Sequence, residues 1–258
     1  MDIQKHKTVE ADAWYPLKQF TAARIALGRT GNAIPLKELL KFRLAHAHAR
    51  DAVHARLHSH ELVQQLQQFN LPVYLLHSKA KDRNEYLLHP DLGRQLNEAS
   101  VQQLQNRCAA FDIVLILADG LSATAINHHA VPLLQLLIPL LQKAGFSIVI
   151  AVAQQARVAI GDSVGALLNA NLSLVLIGER PGLSAADSMG AYLTYKPTAG
   201  LTDESRNCIS NIRPEGMYFA KAAAKIHYLI ALSFKLHYSG VMLKDDEQDF
   251  LEEDKPGV

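Results

Sequence analysis

Four short runs decide what this chain can become: PVYLLH at 72–77, DIVLILA at 112–118, SIVIAVA at 147–153 and LSLVLIG at 172–178. Each is rich in Val, Ile and Leu on both faces, where a half-exposed strand would alternate apolar with polar. Such runs suit strands covered on both sides, as in a parallel sheet. AYLTY at 191–195 adds a fifth run, and longer helical stretches separate them. Strand–helix alternation implies right-handed crossovers. The expected fold is therefore α/β: a doubly wound, mainly parallel, Rossmann-like sheet with a small N-terminal helical subdomain.

The helices carry their own signals. Pro90 can begin one, and Ser100 with Gln103 forms a capping box for its continuation. Ser122 stands at an N-cap position after the second strand, and Gly145 lies near the end of the helix that follows. Phe219, Ala222, Ala223, Ile226, Leu229 and Ile230 share one face of a last helix, with Gly240 as its stop. Ahead of the first strand, a short helix is expected around Leu17 to Leu27. Pro35 then suits the first turn of another helix, where its missing N–H has no partner to lose. Leu36, Leu39, Leu40, Leu44 and Ala47 form that helix's apolar stripe, opposite Lys37, Lys41, His48 and Arg50. These patterns divide the chain into a helical subdomain at 1–62, an α/β domain at 63–243 and an acidic tail at 244–258. The tail reads as a solvated end.

A chain of 258 residues buries a substantial core without disulfides or structural metals. Its net charge of +1 offers no field for nucleic acid or an anionic membrane. Cys108 and Cys208 form no CxxC pair, which suits a reducing cytosol. Ala130 to Leu141 is the most apolar stretch, but it is short and interrupted by Pro132, Gln135 and Pro139, so no transmembrane helix is expected. The N-terminus lacks an apolar leader, and the expected location is the cytoplasm.

A self-contained active site is hard to find. No GxGxxG and no GxxxxGK[ST] supplies a phosphate cradle. Gly28-Arg29-Thr30-Gly31 reads as a plain turn. Ser122 sits in DGLSA without the second glycine of a nucleophile elbow, so it reads as a helix cap. His54 and His58 are spaced i, i+4 in a stretch that also holds His46, His48 and His60. No HExxH motif and no nearby carboxylate completes a metal set, and a solvated polar face is expected there. The chain also lacks the DxHxxG motif that places a histidine on cobalt; His89-Pro90-Asp91-Leu92-Gly93 has the wrong order.

Read together, five segments are similar to the small (light) subunit of ethanolamine ammonia-lyase: RIALGRTGNAIP at 24–35, YLLHPDLGR at 86–94, ADGLSATAI at 118–126, VLIGERPGL at 175–183 and NCISNI at 207–212. They occur in the family's order, and the resemblance runs from about residue 10 to 243. It implies a heteromeric carbon–nitrogen lyase that converts ethanolamine to acetaldehyde and ammonia by a radical route. A TIM-barrel large subunit binds ethanolamine and carries the catalytic residues, this chain packs over the barrel mouth, and adenosylcobalamin lies between them. The assembly implied is a hexamer of heterodimers.

The resemblance carries cofactor contacts onto Val158, Glu179 and Cys208, with no catalytic residue and no metal ligand on this chain. Each contact makes local sense. Glu179 directly follows a strand, where open α/β sheets bind ligands, and a carboxylate accepts N–H bonds from a corrin's amide arms. Val158 offers an apolar side chain to a large flat ring, and Cys208 is small and soft. Ala159 stands where the family usually has lysine. The family core begins almost at once, so cytoplasmic residence is expected rather than packing into a bacterial microcompartment. Two alternatives stand beside this reading: a free-standing α/β protein that binds a small molecule or nucleotide, and a structural partner of the barrel that has lost cobalamin.

Overall fold

The computed structural model describes residues 9–21, 23–105 and 110–244. Cys108 and the acidic tail beyond Lys244 lie outside the described residues. The elements run α1 (Leu36–His54), α2 (Ser59–Leu66), β1 (Val73–His77), α3 (Arg83–Leu88), α4 (Glu98–Gln105), β2 (Ile113–Ala118) and α5 (Ala123–Lys143). Then follow β3 (Ile148–Gln154), α6 (Ile160–Leu167), β4 (Leu172–Gly178), β5 (Met189–Tyr195), β6 (Asn207–Ile212) and α7 (Phe219–Leu236).

The strands form one six-stranded sheet in the order β1-β3-β2-β4-β5-β6. The pairings β1–β3, β3–β2 and β2–β4 are parallel, whereas β4–β5 and β5–β6 are antiparallel. The α/β expectation holds; the sheet is mixed. The run AYLTY forms a strand as expected, but in the reverse direction, since only a short loop separates it from β4 and a parallel return needs a longer crossover. The edge strand β6 has no apolar run to announce it.

Helices cover both faces, as the runs without polar alternation require. Leu115 and Leu117 of β2, Ile150 and Val152 of β3, and Leu174 and Leu176 of β4 pack against α2, α5 and α7. The intervening Val114, Ile116, Ala151, Ala153, Val175 and Ile177 pack against α4 and α6. Adjacent strand residues point to opposite faces, so burial of both sets explains the continuous apolar runs.

Several local expectations change. The Pro-containing stretch does not break: α5 spans 21 residues with Pro132 and Pro139 inside it, long and apolar enough to cross a membrane. Its Leu133, Leu134, Leu137, Ile138 and Leu141 are instead buried in the core. A short 3-10 helix at Tyr15–Phe20 stands where a helix was expected around Leu17 to Leu27. Pro35 precedes α1 as its N-cap residue, one position earlier than expected. In that helix Leu36, Leu40 and Leu44 are exposed, and Ala52 alone is buried, so the apolar stripe faces away from this chain's own core.

Pro90 begins no α-helix, though a 3-10 helix at Leu92–Arg94 follows it; α3 ends at Leu88, before it, because the residue preceding a proline is pushed out of the helical region. Asp82 caps α3 through the N–H groups of Asn84 and Glu85. Ser100 lies inside α4, its N–H bonded to the Asn97 side chain at 2.8 Å, and its hydroxyl is turned to the His77 carbonyl oxygen. Ser122 occupies the N-cap position of α5, but its hydroxyl donates to the Ala186 carbonyl at 2.8 Å rather than capping the helix. Gly145 follows α5 with φ 85, as expected of a C-terminal glycine. The last helix stops at His237 in the left-handed region, before Gly240. His54 ends α1 and His58 precedes α2, so the two do not share a helix face.

Candidate functional site

The parallel strands β1, β2, β3 and β4 all deliver their carboxyl ends to one edge of the sheet, the edge at which open α/β sheets hold ligands. Asp119 follows β2 there. It is 2 % exposed, and its carboxylate accepts the N–H groups of Gln155 and Ala156 at 2.8 Å and of Gly120 at 3.1 Å. One buried side chain thus ties the tip of β2 to the turn after β3. Burial pushes the Asp119 pKa up, while the N–H donors and Arg83 pull it back.

Backbone approaches backbone closely beside it. A Cβ on Gly178, the last residue of β4, would overlap the Ser122 carbonyl oxygen, and one on Gly120 (φ 56) would overlap the Gly178 carbonyl. Gly178→Ala is therefore expected to force the strand tips apart and to destabilise the protein by about 1–3 kcal/mol. Thermal unfolding of the variant beside wild type measures this; an unchanged midpoint would mean that the tips yield freely.

Between the tips of β2 and β4 lies an open cleft of ≈ 460 Å³, lined by Tyr86, Gly120, Leu121, Arg157, Val158, Ile177, Gly178, Glu179, Arg180 and Tyr192. Val158 and Glu179 thus share one cavity. Cys208 stands beside it on β6, its Cα paired across the sheet with that of Tyr192. Cys208 is exposed, contrary to what an ordinary free cysteine in a core would show. Partial desolvation, opposed by Tyr192 and reinforced by the Glu179 carboxylate, raises its thiol pKa. Tyr192 is likewise raised, by desolvation first and then by Cys208 and Glu179. Glu179 and Cys208 therefore both act on Tyr192, which lines the cleft with Val158 and which the sequence did not mark.

Glu179 is held in place rather than paired with its neighbour. Its Oε2 accepts from the Ser188 hydroxyl and, at 3.2 Å, from the Asn211 N–H. Arg180 forms no ion pair with it among the described residues, so an ordinary loop salt bridge is not what Glu179 does. Its Oε1 has no hydrogen-bond partner among the described residues and remains available to a donor. The loop from 179 to 188 is tied to α5, where the His129 ring nitrogen Nε2 lies 2.9 Å from Asp187 Oδ2.

Tyr86 forms the floor. Its side chain is fully buried, and the guanidinium groups of Arg157 and Arg83 lie 4.2 and 4.7 Å from its ring centroid. A Cβ on Gly93 would lie 2.9 Å from both the Tyr86 ring and the Arg157 side chain. These contacts give a physical reason for the Tyr86 to Arg94 segment: its tyrosine and glycine pack around the arginine that precedes Val158.

The fold and the cleft define an α/β protein with an open cleft of apolar and carboxylate groups, and a thiol beside it, at its strand tips. Comparison with known proteins gives the family. The family model for ethanolamine ammonia-lyase light chain (EutC) matches residues 11–244. An ethanolamine ammonia-lyase small subunit of Ralstonia nicotianae is 48% identical over 243 residues, covering 92% of this chain and 90% of the relative. Small subunits from Xanthomonas campestris pv. campestris (48% over 244 residues, 93% and 90% covered) and Pseudomonas aeruginosa (47% over 240 residues, 91% and 88% covered) are similar to it as well. The chain belongs to the ethanolamine ammonia-lyase small-subunit family. It is a lyase subunit that acts within a heteromeric complex, and a small subunit implies a large-subunit partner.

Proposed function

We propose that this chain forms one wall of an adenosylcobalamin site, with Val158, Glu179 and Cys208 as its cofactor contacts and the large subunit as the opposite wall. The observation that carries this reading is that Val158 and Glu179 line one open cleft with Tyr192, whose Cα pairs across the sheet with that of Cys208. The residues suit the group. Val158, Ile177 and Tyr192 offer apolar surface to a broad ring, and the free Glu179 Oε1 accepts from an amide arm. A cleft of ≈ 460 Å³ open to solvent covers only part of so large a molecule, so a second polypeptide has to supply the rest.

When bound, adenosylcobalamin supplies the radical chemistry by which ethanolamine becomes acetaldehyde and ammonia. This chain's residues bind, orient and exclude water. Glu179, fixed by Ser188 and Asn211, would hold the cofactor by accepting a hydrogen bond from one of its amide groups. The Arg83–Tyr86–Arg157 stack anchors the segment that carries Val158, which would offer its apolar side chain to the cofactor. No ligand to cobalt is assigned to this chain, and the catalytic groups fall to the large subunit, for which a TIM barrel and a hexamer of heterodimers are the proposed architecture. The exposed Trp14, Phe20, Leu36, Leu40 and Leu44 are the kind of apolar surface a permanent subunit contact covers. They also support treating 1–62 as a docking subdomain beside the α/β domain at 63–243.

The test is a visible-absorbance titration of the co-expressed complex with cyanocobalamin. Glu179→Leu is expected to weaken binding about tenfold, the loss of one charge-assisted hydrogen bond. Unchanged affinity would remove Glu179 from the site and favour a structural partner that has lost cobalamin.

A further inference from the structure

Glu179 and Ser188 close the base of a loop. The Glu179 N–H donates to the Ser188 carbonyl at 2.9 Å, and the Ser188 hydroxyl donates to Glu179 Oε2. At the tip, the Gly182 N–H donates to the Ala185 carbonyl at 2.9 Å. Little else holds the Glu179 side chain. A Cβ on Gly190 would lie 3.1 Å from Glu179 Oε1, so glycine leaves that flank without a side chain. Asn211 donates to the same oxygen as Ser188, so these two donors decide which carboxylate oxygen stays free.

Among the described residues, three hydrogen bonds tie residues 180–187 to the rest of the chain. Arg24 Nη2 donates to the Leu183 carbonyl at 3.0 Å in an exposed position, where water competes for both groups. The buried Ser122 hydroxyl donates to the Ala186 carbonyl at 2.8 Å. His129 Nε2 lies 2.9 Å from Asp187 Oδ2, and a carboxylate oxygen accepts, so Nε2 is the donor. Ser122 and His129 stand two helical turns apart at the start of α5 and so face the loop together. The imidazole is buried beside the Phe219 ring, centroids 5.6 Å apart, which fixes the direction of Nε2. Asp187 immediately precedes Ser188, so holding Asp187 sets where the Ser188 hydroxyl points.

We propose that His129 is a positioning residue for the cleft: by holding Asp187 on α5 it keeps the Ser188 hydroxyl on Glu179 Oε2 and leaves Oε1 free for a ligand's donor. The ring lines no part of the cleft and acts through Asp187 and Ser188. Glutamine at 129 presents an amide nitrogen where the imidazole Nε2 stands and can donate to Asp187, whereas leucine fills the space and donates nothing. What the free oxygen binds rests on the cobalamin reading above; the hold on the carboxylate does not.

Hydrogen exchange of the co-expressed complex without cobalamin, followed by mass spectrometry, measures the positioning directly. The Asn211 N–H donates to Glu179 Oε2 and reports on the carboxylate, while the N–H groups of Glu179 and Gly182 report on the loop. His129→Leu and Asp187→Ala are each expected to speed exchange about tenfold in both segments, and His129→Gln to stay within about twofold of wild type. The Asp187 side chain is 33% exposed, so its truncation tests the pair without disturbing the core if His129→Leu fails to fold. In visible-absorbance titrations with cyanocobalamin, His129→Leu and Asp187→Ala are expected to bind about three- to tenfold more weakly and His129→Gln like wild type. Unchanged exchange in Asp187→Ala overturns the proposal whatever the cleft binds. Exchange in His129→Gln as fast as in His129→Leu overturns it too, by assigning the effect to ring packing. If Glu179→Leu weakens cobalamin binding while Asp187→Ala does not, the positioning role fails alone; if exchange rises and neither variant weakens binding, the cobalamin reading fails and the hold on the carboxylate stands.

Discussion

Replacing Asp119 with alanine is expected to destabilise the protein by about 3–5 kcal/mol, as three buried N–H groups lose their acceptor at once. The carboxylate holds the N–H groups of Gly120, Gln155 and Ala156, and Arg83 lies near it. Each donor left unsatisfied costs about 1–3 kcal/mol, and water entering the space recovers part of the total. Gln155 also loses what stabilises its left-handed backbone, so the turn after β3 should relax and take Val158 with it. Asp119→Asn keeps an acceptor oxygen and is expected to fall between wild type and alanine. Chemical denaturation of the three proteins in complex measures the order, and a loss under about 1 kcal/mol for alanine would show that the N–H groups find other partners.

The second large effect belongs to Arg206. Its guanidinium grips Asp162 with two hydrogen bonds, at 2.7 and 2.8 Å, and both side chains are almost fully buried, 3% and 4% exposed. It also reaches Thr194 Oγ1 at 3.2 Å and the Leu201 carbonyl at 3.1 Å. This one side chain therefore joins α6, β5 and the loop before β6, and so fixes Cys208 relative to Val158. Arg206→Met strands a buried carboxylate, and the expected loss is about 3–5 kcal/mol. Removing both charges, as Arg206→Met with Asp162→Leu, is expected to recover much of that, because an apolar pair of similar size needs no compensation. A double variant no more stable than the single one would locate the loss in Thr194 and Leu201 rather than in the stranded charge.

Much of the sheet was legible because burial on both faces leaves a one-dimensional trace. The runs of β1 to β4 contain little but Val, Ile, Leu and Ala, and all four formed strands. Direction left no trace. The strand β5 is as apolar as its neighbours, and only the loop after β4 turns it antiparallel. At the edge, β6 buries only Ile209 and Ile212, so it has no apolar run and reads as a motif rather than a strand. The stripe on α1 is legible as a pattern, but periodicity says which residues share a face and nothing about what covers it.

The site divides in the same way. Glu179 is legible as a carboxylate directly after a buried strand, and Asp119 carries the same signal after β2. Tyr86, Gln155 and Tyr192 had no local mark; they matter through partners far along the chain, Tyr86 through Arg157 and Gln155 through Asp119. The sequence by itself determined that strands would be buried on both faces and, by resemblance, the family. Only the tertiary structure decided that Val158 and Glu179 would face one cleft with Cys208 at its side, and that His129 would lie against Asp187 in the loop between Glu179 and Ser188. The reason is that strand order, strand direction and the close packing of glycine backbones at the sheet edge are settled by contacts between distant segments, which local composition does not encode.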